Sequence, residues 1–379
     1  MQPSSIPVAC HSIAPARVIR GEQAWQQALP LIPSLCQRPA LLGRSPSTAA
    51  LRSRLAADLS SIGLPPLELL LQHDCCEQDL QQLEQELRNQ ACDGLVAAGG
   101  GKVLDAGKLL ADRLDISCIT VPLSAATCAG WTALSNLYSP HGAFEGDVAL
   151  RRCPDLLIFD HGLVRQAPAR TLASGIADAI AKWYEASVSS GSSTDGVIQQ
   201  AVQMARVLRD QLLLDAQAAM DDSQSAAWVR VAEACGLTAG VIGGLGGAQC
   251  RTVAAHAVHN GLTQIEACHG VLHGEKVGFG ILVQLRLEER LGGSQLAAQA
   301  RRQLLPLLRQ LKLPVNLQDL GLREVGLHEL QEACRFACRE GSDLHHLPFS
   351  VSETDLLEAL VSTETGIVTQ PLQRKEPKA

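Results

Sequence analysis

The chain lacks a basic surplus, a C-x-x-C pair, a long apolar run and an internal repeat, and each lack removes a class of protein. With 32 Lys and Arg against 39 Asp and Glu, the net charge of −7 offers no basic face for nucleic acid. No run of about twenty apolar residues is available for a membrane span; the nearest stretch, 236–247, is short and glycine-rich. The thirteen cysteines are odd in number, scattered, and in several cases set inside apolar runs. They fit reduced thiols acting as small hydrophobes in a cytosolic protein, not a disulfide framework. Residues 1–19 are broken by Pro and His, so no signal peptide is expected. Aromatic residues are only 3% of the chain, while hydrophobic residues as a whole reach 46%. That is the composition of a soluble, enzyme-like globular protein rich in Ala, Leu and Gly. At 379 residues there is room for two domains, each with its own core.

What is present is a strand that empties into glycines. The apolar run Leu95-Val96-Ala97-Ala98 is followed by Gly99-Gly100-Gly101-Lys102-Val103-Leu104-Asp105-Ala106-Gly107-Lys108. Glycines let a backbone approach a ligand closely, and a helix start offers unpaired N–H groups to a phosphate. The pattern is neither G-x-G-x-x-G nor G-x-x-x-x-G-K-[ST].

Up to residue 160 short apolar runs alternate with amphipathic ones. Strands are expected near 40–43, 67–71, 94–98 and 116–121, with helices near 47–59, 77–89 and 101–113. Such alternation implies βαβ units and a mostly parallel sheet, with ligands at the carboxyl ends of its strands. Shorter β pieces follow at 135–138, 143–150 and 155–159. After Asp160 helical spacing takes over: 167–188, 198–214, 226–242, 248–260, 270–291, 294–311, 327–339 and 353–362. Ser352 with Asp355 forms a capping box at the last of these. The expected fold class is therefore α/β, with a Rossmann-like parallel-sheet domain (1–160) and an all-helical domain (161–379). The charged tail 373–379 is expected to fray.

Asp178 lies within the apolar segment Ala173 to Ala181. It either pairs with Lys182 at i,i+4 or faces solvent, or it binds a metal. Histidines weigh towards the metal. His256 and His259 stand three apart on one helical face, and His273 opens the next helix. Neutral imidazoles with one carboxylate suit zinc or ferrous iron with an open coordination position.

Four motifs in order complete the pattern: Gly99-Gly100-Gly101-Lys102-x-x-Asp105-x-x-Lys108, Gly175-Ile176-Ala177-Asp178, Ala255-His256-Ala257-Val258-His259-Asn260-Gly261-Leu262 and His273-Gly274-Glu275-Lys276-Val277. Together they resemble the iron-containing alcohol dehydrogenase superfamily, in its glycerol dehydrogenase branch. The resemblance implies a dehydroquinate synthase-like domain pair with a catalytic cleft between the domains. It implies one divalent metal, Zn or Fe, on Asp178, His256 and His273. It also places Gly99, Gly100, Gly101, Lys102 and Asp105 around an NAD or NADP cofactor, with Thr120, Ser124 and Tyr138 as further contacts. Lys182 stands where other branches carry a fourth ligand histidine.

The chain departs from glycerol dehydrogenases at Thr127-Cys128-Ala129, where they carry Thr-Asp-Ala. A thiol cannot accept polyol hydrogen bonds as a carboxylate does. Cys128, Trp131 and the segment 181–186 resemble instead the 2-oxo-acid reductases of this branch. Cys128 and Trp131 either face the substrate or pack the cleft wall. Arg44, after strand 40–43 and without an acid nearby in sequence, either holds the 2′-phosphate of NADP or sits solvated in a turn. The expected activity is metal-dependent NAD(P)H reduction of a small 2-oxo acid, with His259 a proton relay or an orienting neighbour. Glycerol or polyol oxidation is the alternative. A non-redox dehydroquinate synthase-like lyase would need extra cleft cations that 120–135 lacks, and a silent ligand-binding homologue fits poorly with intact motifs. The resemblance further implies a homo-oligomer with a small-molecule substrate, without nucleic-acid or membrane partners.

Overall fold

The computed structural model describes residues 10–363. The charged tail at 373–379 and the extreme amino terminus lie outside that range. Eight strands are described: β1 (Val18–Gly21), β2 (Pro39–Gly43), β3 (Leu67–Leu70), β4 (Gly94–Gly99), β5 (Ser117–Pro122), β6 (Leu134–Tyr138), β7 (Phe144–Ala149) and β8 (Leu156–Asp160). Six form one sheet in the order β1-β8-β5-β4-β2-β3, every pair parallel. β6 and β7 make a separate antiparallel ribbon.

The helices among these strands are α1 (Ala24–Ala28), α2 (Ala49–Ser61), α3 (Glu77–Asn89) and α4 (Gly101–Leu114). After β8 the described regular structure is helical: α5 (His161–Val164), α6 (Ala169–Ser190), α7 (Gly196–Asp221), α8 (Ala226–Glu233), α9 (Ala239–Gly246), α10 (Ala254–Leu262), α11 (His273–Arg290), α12 (Gln295–Gln310), α13 (Leu327–Ala337) and α14 (Glu353–Val361). The fold is thus a parallel α/β sheet joined to a helical assembly.

β4 reads as unbroken apolar sequence because both of its faces are covered. Leu95 and Ala97 pack with Leu80, Leu83 and Leu104 on one side. Val96 and Ala98 pack with Leu55 and Leu59 on the other. The period of two along a strand sends alternate residues to opposite layers. From β2 the chain steps outward to β3, whereas from β4 it steps the other way to β5. A crevice opens where such connections diverge, at the carboxyl ends of β2 and β4. Gly43 and Gly99 end those two strands.

Element types and positions follow the sequence patterns closely, with three differences. β1, α1 and α5, at Val18–Gly21, Ala24–Ala28 and His161–Val164, are additional; each is too short to show a period. The stretch expected as one helix from 226 is interrupted by a π-turn at Ala234–Thr238, and helix 248–260 begins only at Ala254, after a 3-10 turn. The run Ala226–Gly246 is long and apolar enough to cross a membrane by length and composition, with mean hydropathy 1.2. Yet 61% of that window is buried inside the molecule, where Val231, Cys235 and Ile242 join the helical core. An apolar helix buried among others is a core helix.

Candidate active site

One cleft of about 370 Å³ runs from the β2 and β4 ends to α6, α10 and α11. On the sheet side its wall is the glycine turn. α4 starts at Gly101 with no side-chain cap. A Cβ added at Gly100 would have Ser124 Oγ as its nearest neighbour, at 3.8 Å, so the turn faces open space. A Cβ on Gly99 would lie 2.7 Å from Val103, so glycine is what allows the tight entry into α4. Lys102, Asp105, Ser124, Tyr138 and Arg44 also line the cleft. Asp105 is buried and ion-paired with Lys108 at 3.1 Å. Burial dominates that pairing and raises its pKa.

On the helical side stand Asp178 from α6, His256 from α10 and His273 at the start of α11. Their candidate ligand atoms all lie within 4.8 Å of one another. His256 Nε2 is 3.3 Å and His273 Nε2 3.4 Å from Asp178 Oδ1. That oxygen is nevertheless buried and accepts no hydrogen bond. Buried polar atoms are nearly always satisfied, so the exception needs a cause. The Nδ1 of His256 donates to Glu185 Oε2 at 2.7 Å. With Nδ1 so engaged, Nε2 is the ring nitrogen left to face Asp178, and a cation that displaces its proton completes the arrangement. The trio therefore fits a divalent metal by donor set, convergence and the orphaned oxygen. Burial would raise the Asp178 pKa, but Lys182 and the two histidines outweigh it and hold the pKa well below the usual range. His256, flanked by Glu185 and Asp178, is raised to about 9 against the pull of burial.

Lys182 is close to Asp178, 3.9 Å away, so the i,i+4 pair exists alongside the histidines. A second trio, His73, Cys76 and Asp79, also clusters. There the carboxylate is spent: Asp79 accepts from the backbone of Gln72 and His73 and from His73 Nδ1, between 2.7 and 2.8 Å. It ties the loop after β3 to the first turn of α3.

Three expected site residues lie elsewhere. Trp131 packs against α9, its Nε1 donating to Ile13 O at 2.9 Å, and is not part of the cleft lining. Thr120 is fully buried and donates to Gly130 O at 2.8 Å, tying the strand to the following loop. His259 faces an adjoining pocket of about 310 Å³ with His269 and Lys276. Its ring centroid is 4.1 Å from that of His273, and its Nδ1 donates to Asn260 Oδ1. Burial, then the charges of His273 and Lys276, lowers its pKa. Cys128 does face the cleft, and burial raises its thiol pKa.

Sequence reasoning missed Arg251, Asp343, Asn136 and Glu185. The first three line the cleft, and the last sits behind His256. It also missed that Asp74, from the loop after β3, pairs with both Arg44 and Lys102. No acid follows β2 in sequence, but the fold brings one there. Asp74 lies in no periodic pattern, so only the packing of adjacent strand ends could reveal it.

Residues 15–161 match the family model described as iron-containing alcohol dehydrogenase. An uncharacterized oxidoreductase of Synechocystis sp. is 50% identical over 364 residues, 96% of this chain and 94% of its own. A glycerol dehydrogenase of Pseudomonas putida is 32% identical, covering 92% of this chain and 95% of its own. Hydroxycarboxylate dehydrogenase A of Escherichia coli is also 32% identical, over 80% and 84%. The solved structure of a probable glycerol dehydrogenase from Sinorhizobium meliloti superposes with a TM-score of 0.83 at 27% identity, over 94% of this chain and 98% of that one. With a glycine turn facing a buried carboxylate–histidine trio, these likenesses mean that the chain belongs to the iron-containing alcohol dehydrogenase family, oxidoreductases acting on alcohol CH–OH groups.

Proposed function

We propose that the protein interconverts a small polar alcohol and its carbonyl compound, using NADP or NAD and one divalent metal, iron or zinc. The observation that carries this reading is the buried, unbonded Asp178 Oδ1 facing two imidazole nitrogens across the cleft from the glycine turn. Residues 1–160 would hold the cofactor and 161–379 the metal. Asp178, His256 and His273 would hold the metal, which supplies Lewis-acid polarisation of the substrate oxygen. A bound nicotinamide would supply the hydride. The remaining task of this chain is to bind and orient. Gly100 and Gly101 admit the cofactor phosphates to the start of α4. Ser124, Thr127 and Asn136 offer polar groups along the same wall, and Tyr138 closes it under Lys102, whose Nζ lies 4.9 Å from the ring centroid. Arg44 supports NADP, tempered by its pairing with Asp74.

The names among the relatives support a glycerol-type alcohol over a 2-oxo acid. Asp343 adds to that reading, because it places in the cleft a hydroxyl-accepting carboxyl that Cys128 lacks. One specific observation favours the 2-oxo acid instead. Lys182, with 3% of its side chain exposed, and Arg251, whose Nε is buried without a hydrogen-bond partner, both line the cleft beside Cys128. A buried cation calls for an anion; Asp178 would be taken up by the metal, while Arg251 has Asp147 3.8 Å away.

The test is anaerobic purification, metal quantification and turnover with NADPH and NADH against glycerol, hydroxyacetone, glycolaldehyde and 2-oxo acids. Asp178→Asn is expected to lose bound metal and more than about hundredfold in kcat/KM. Retention of both by the variant would overturn the site.

A further inference from the structure

Behind the trio lies one fully buried charge. Glu185, on α6, has no exposed surface, and no lysine or arginine pairs with it among the described residues. Burying a carboxylate costs several kcal/mol unless hydrogen bonds or charges offset the lost hydration. Glu185 has three such partners, all from the start of α10. Oε1 accepts from Val253 N at 2.7 Å and His256 N at 3.0 Å. Oε2 accepts from His256 Nδ1 at 2.7 Å. Val253, the residue before α10, gives that helix no side-chain cap, so Glu185 does this from another helix. Its negative charge also suits a helix amino terminus.

Seven residues separate Asp178 from Glu185 on α6, which is two helical turns and the same face. The His256 ring therefore lies between two carboxylates of a single helix. One faces Nε2 and the other holds Nδ1.

We propose that Glu185 is a positioning residue: it fixes the proton of His256 on Nδ1 and its ring plane, so that Nε2 is presented as a lone pair beside Asp178 and His273. The proposal rests on the metal reading of that trio. A carboxylate can only accept, so it selects the Nδ1–H tautomer. An amide in its place can swing an N–H towards Nδ1, which moves the ring proton to Nε2 and blocks the ligand position. The backbone N–H groups of Val253 and His256 would still find the amide oxygen, so α10 would keep its start.

The discriminating variant is Glu185→Gln, read by three measurements on the full chain. Zn²⁺ or Co²⁺ affinity, from chelator competition on the metal-free protein, is expected to weaken by about ten- to hundredfold. Imidazole ¹⁵N shifts of the neutral His256 ring are expected to change from Nδ1–H to Nε2–H, with little change in circular dichroism. Glu185→Asp, whose carboxylate also only accepts, is expected to recover part of the affinity. Equal affinity in wild type and Glu185→Gln, or an unchanged tautomer, would overturn the proposal. Loss of affinity together with loss of helical signal in both variants would also overturn it, by making Glu185 a fold residue only. If wild type itself takes up neither Zn²⁺ nor Co²⁺, the metal reading falls and this proposal with it.

Discussion

Residue identity decides the cleft's chemistry at a few points where charge has been buried. Lys182 is the sharpest of them, since its nearest carboxylate, Asp178, belongs to the metal trio and its other contact is Arg251 O at 3.3 Å. If the cleft takes a 2-oxo acid, Lys182→Met removes an ammonium that would meet the substrate carboxylate. KM for that acid should then rise about tenfold or more relative to hydroxyacetone, measured side by side with one cofactor. An equal change for both substrates would return the reading to a neutral polyol. At the other end of the cleft, Arg44→Ala should raise KM for NADPH about tenfold relative to NADH if the guanidinium meets the 2′-phosphate. A smaller shift would leave Arg44 as the partner of Asp74 alone.

The elements deliver these side chains by unusually close approach. A Cβ at Gly280 on α11 would lie 2.3 Å from Ala255 O on α10, and one at Gly274 only 1.8 Å from Ser174 O on α6. In both cases the obstacle is backbone, which cannot rotate away. Gly280→Ala gains about 1 kcal/mol of helix propensity. It would also force apart the helices that carry His256 and His273, an overpacking cost of about 1–3 kcal/mol or more. We expect net loss of stability in urea and weaker metal uptake.

Later on α11, Glu288 is largely buried, accepts from Gln284 at 3.0 Å, and has its pKa raised by burial from 4.5 to about 7. Between those values the unfolded chain is ionised while the folded one keeps its proton. This group's contribution to stability is therefore full below 4.5, falls as pH rises to about 7, and is flat beyond. Glu288→Gln should remove that slope, a difference of a few kcal/mol at most at pH 8, read from denaturant midpoints at several pH values. The local patterns that define these helices were plain in the sequence: Glu77–Asn89 follows its period, and the Ser352–Asp355 capping box is in place. The π-turn at Ala234–Thr238 was not, because it changes hydrogen-bond register without changing composition.

For the molecule as a whole, the candidate metal trio joins α6, α10 and α11, so metal binding there should be felt as global stability. Adding Zn²⁺ or Fe²⁺ at about a hundred times Kd to the metal-free protein should stabilise it by about 2.7 kcal/mol, seen as a rise in Tm. The same addition to Asp178→Asn should give little. The sequence by itself determined the alternation of strands and helices, the glycine turn, the spacing of His256 and His259 on one helical face and the helix start at His273. All of these are set by backbone geometry within a few residues. Only the tertiary structure decided which distant groups meet. It sent Trp131 and Thr120 into packing, turned His259 towards a neighbouring pocket, and brought Asp74 to Arg44 and Glu185 to His256. The reason is physical: periodicity fixes the face a side chain occupies, whereas the partner across the gap depends on how helices and strand ends pack, and no local pattern encodes that.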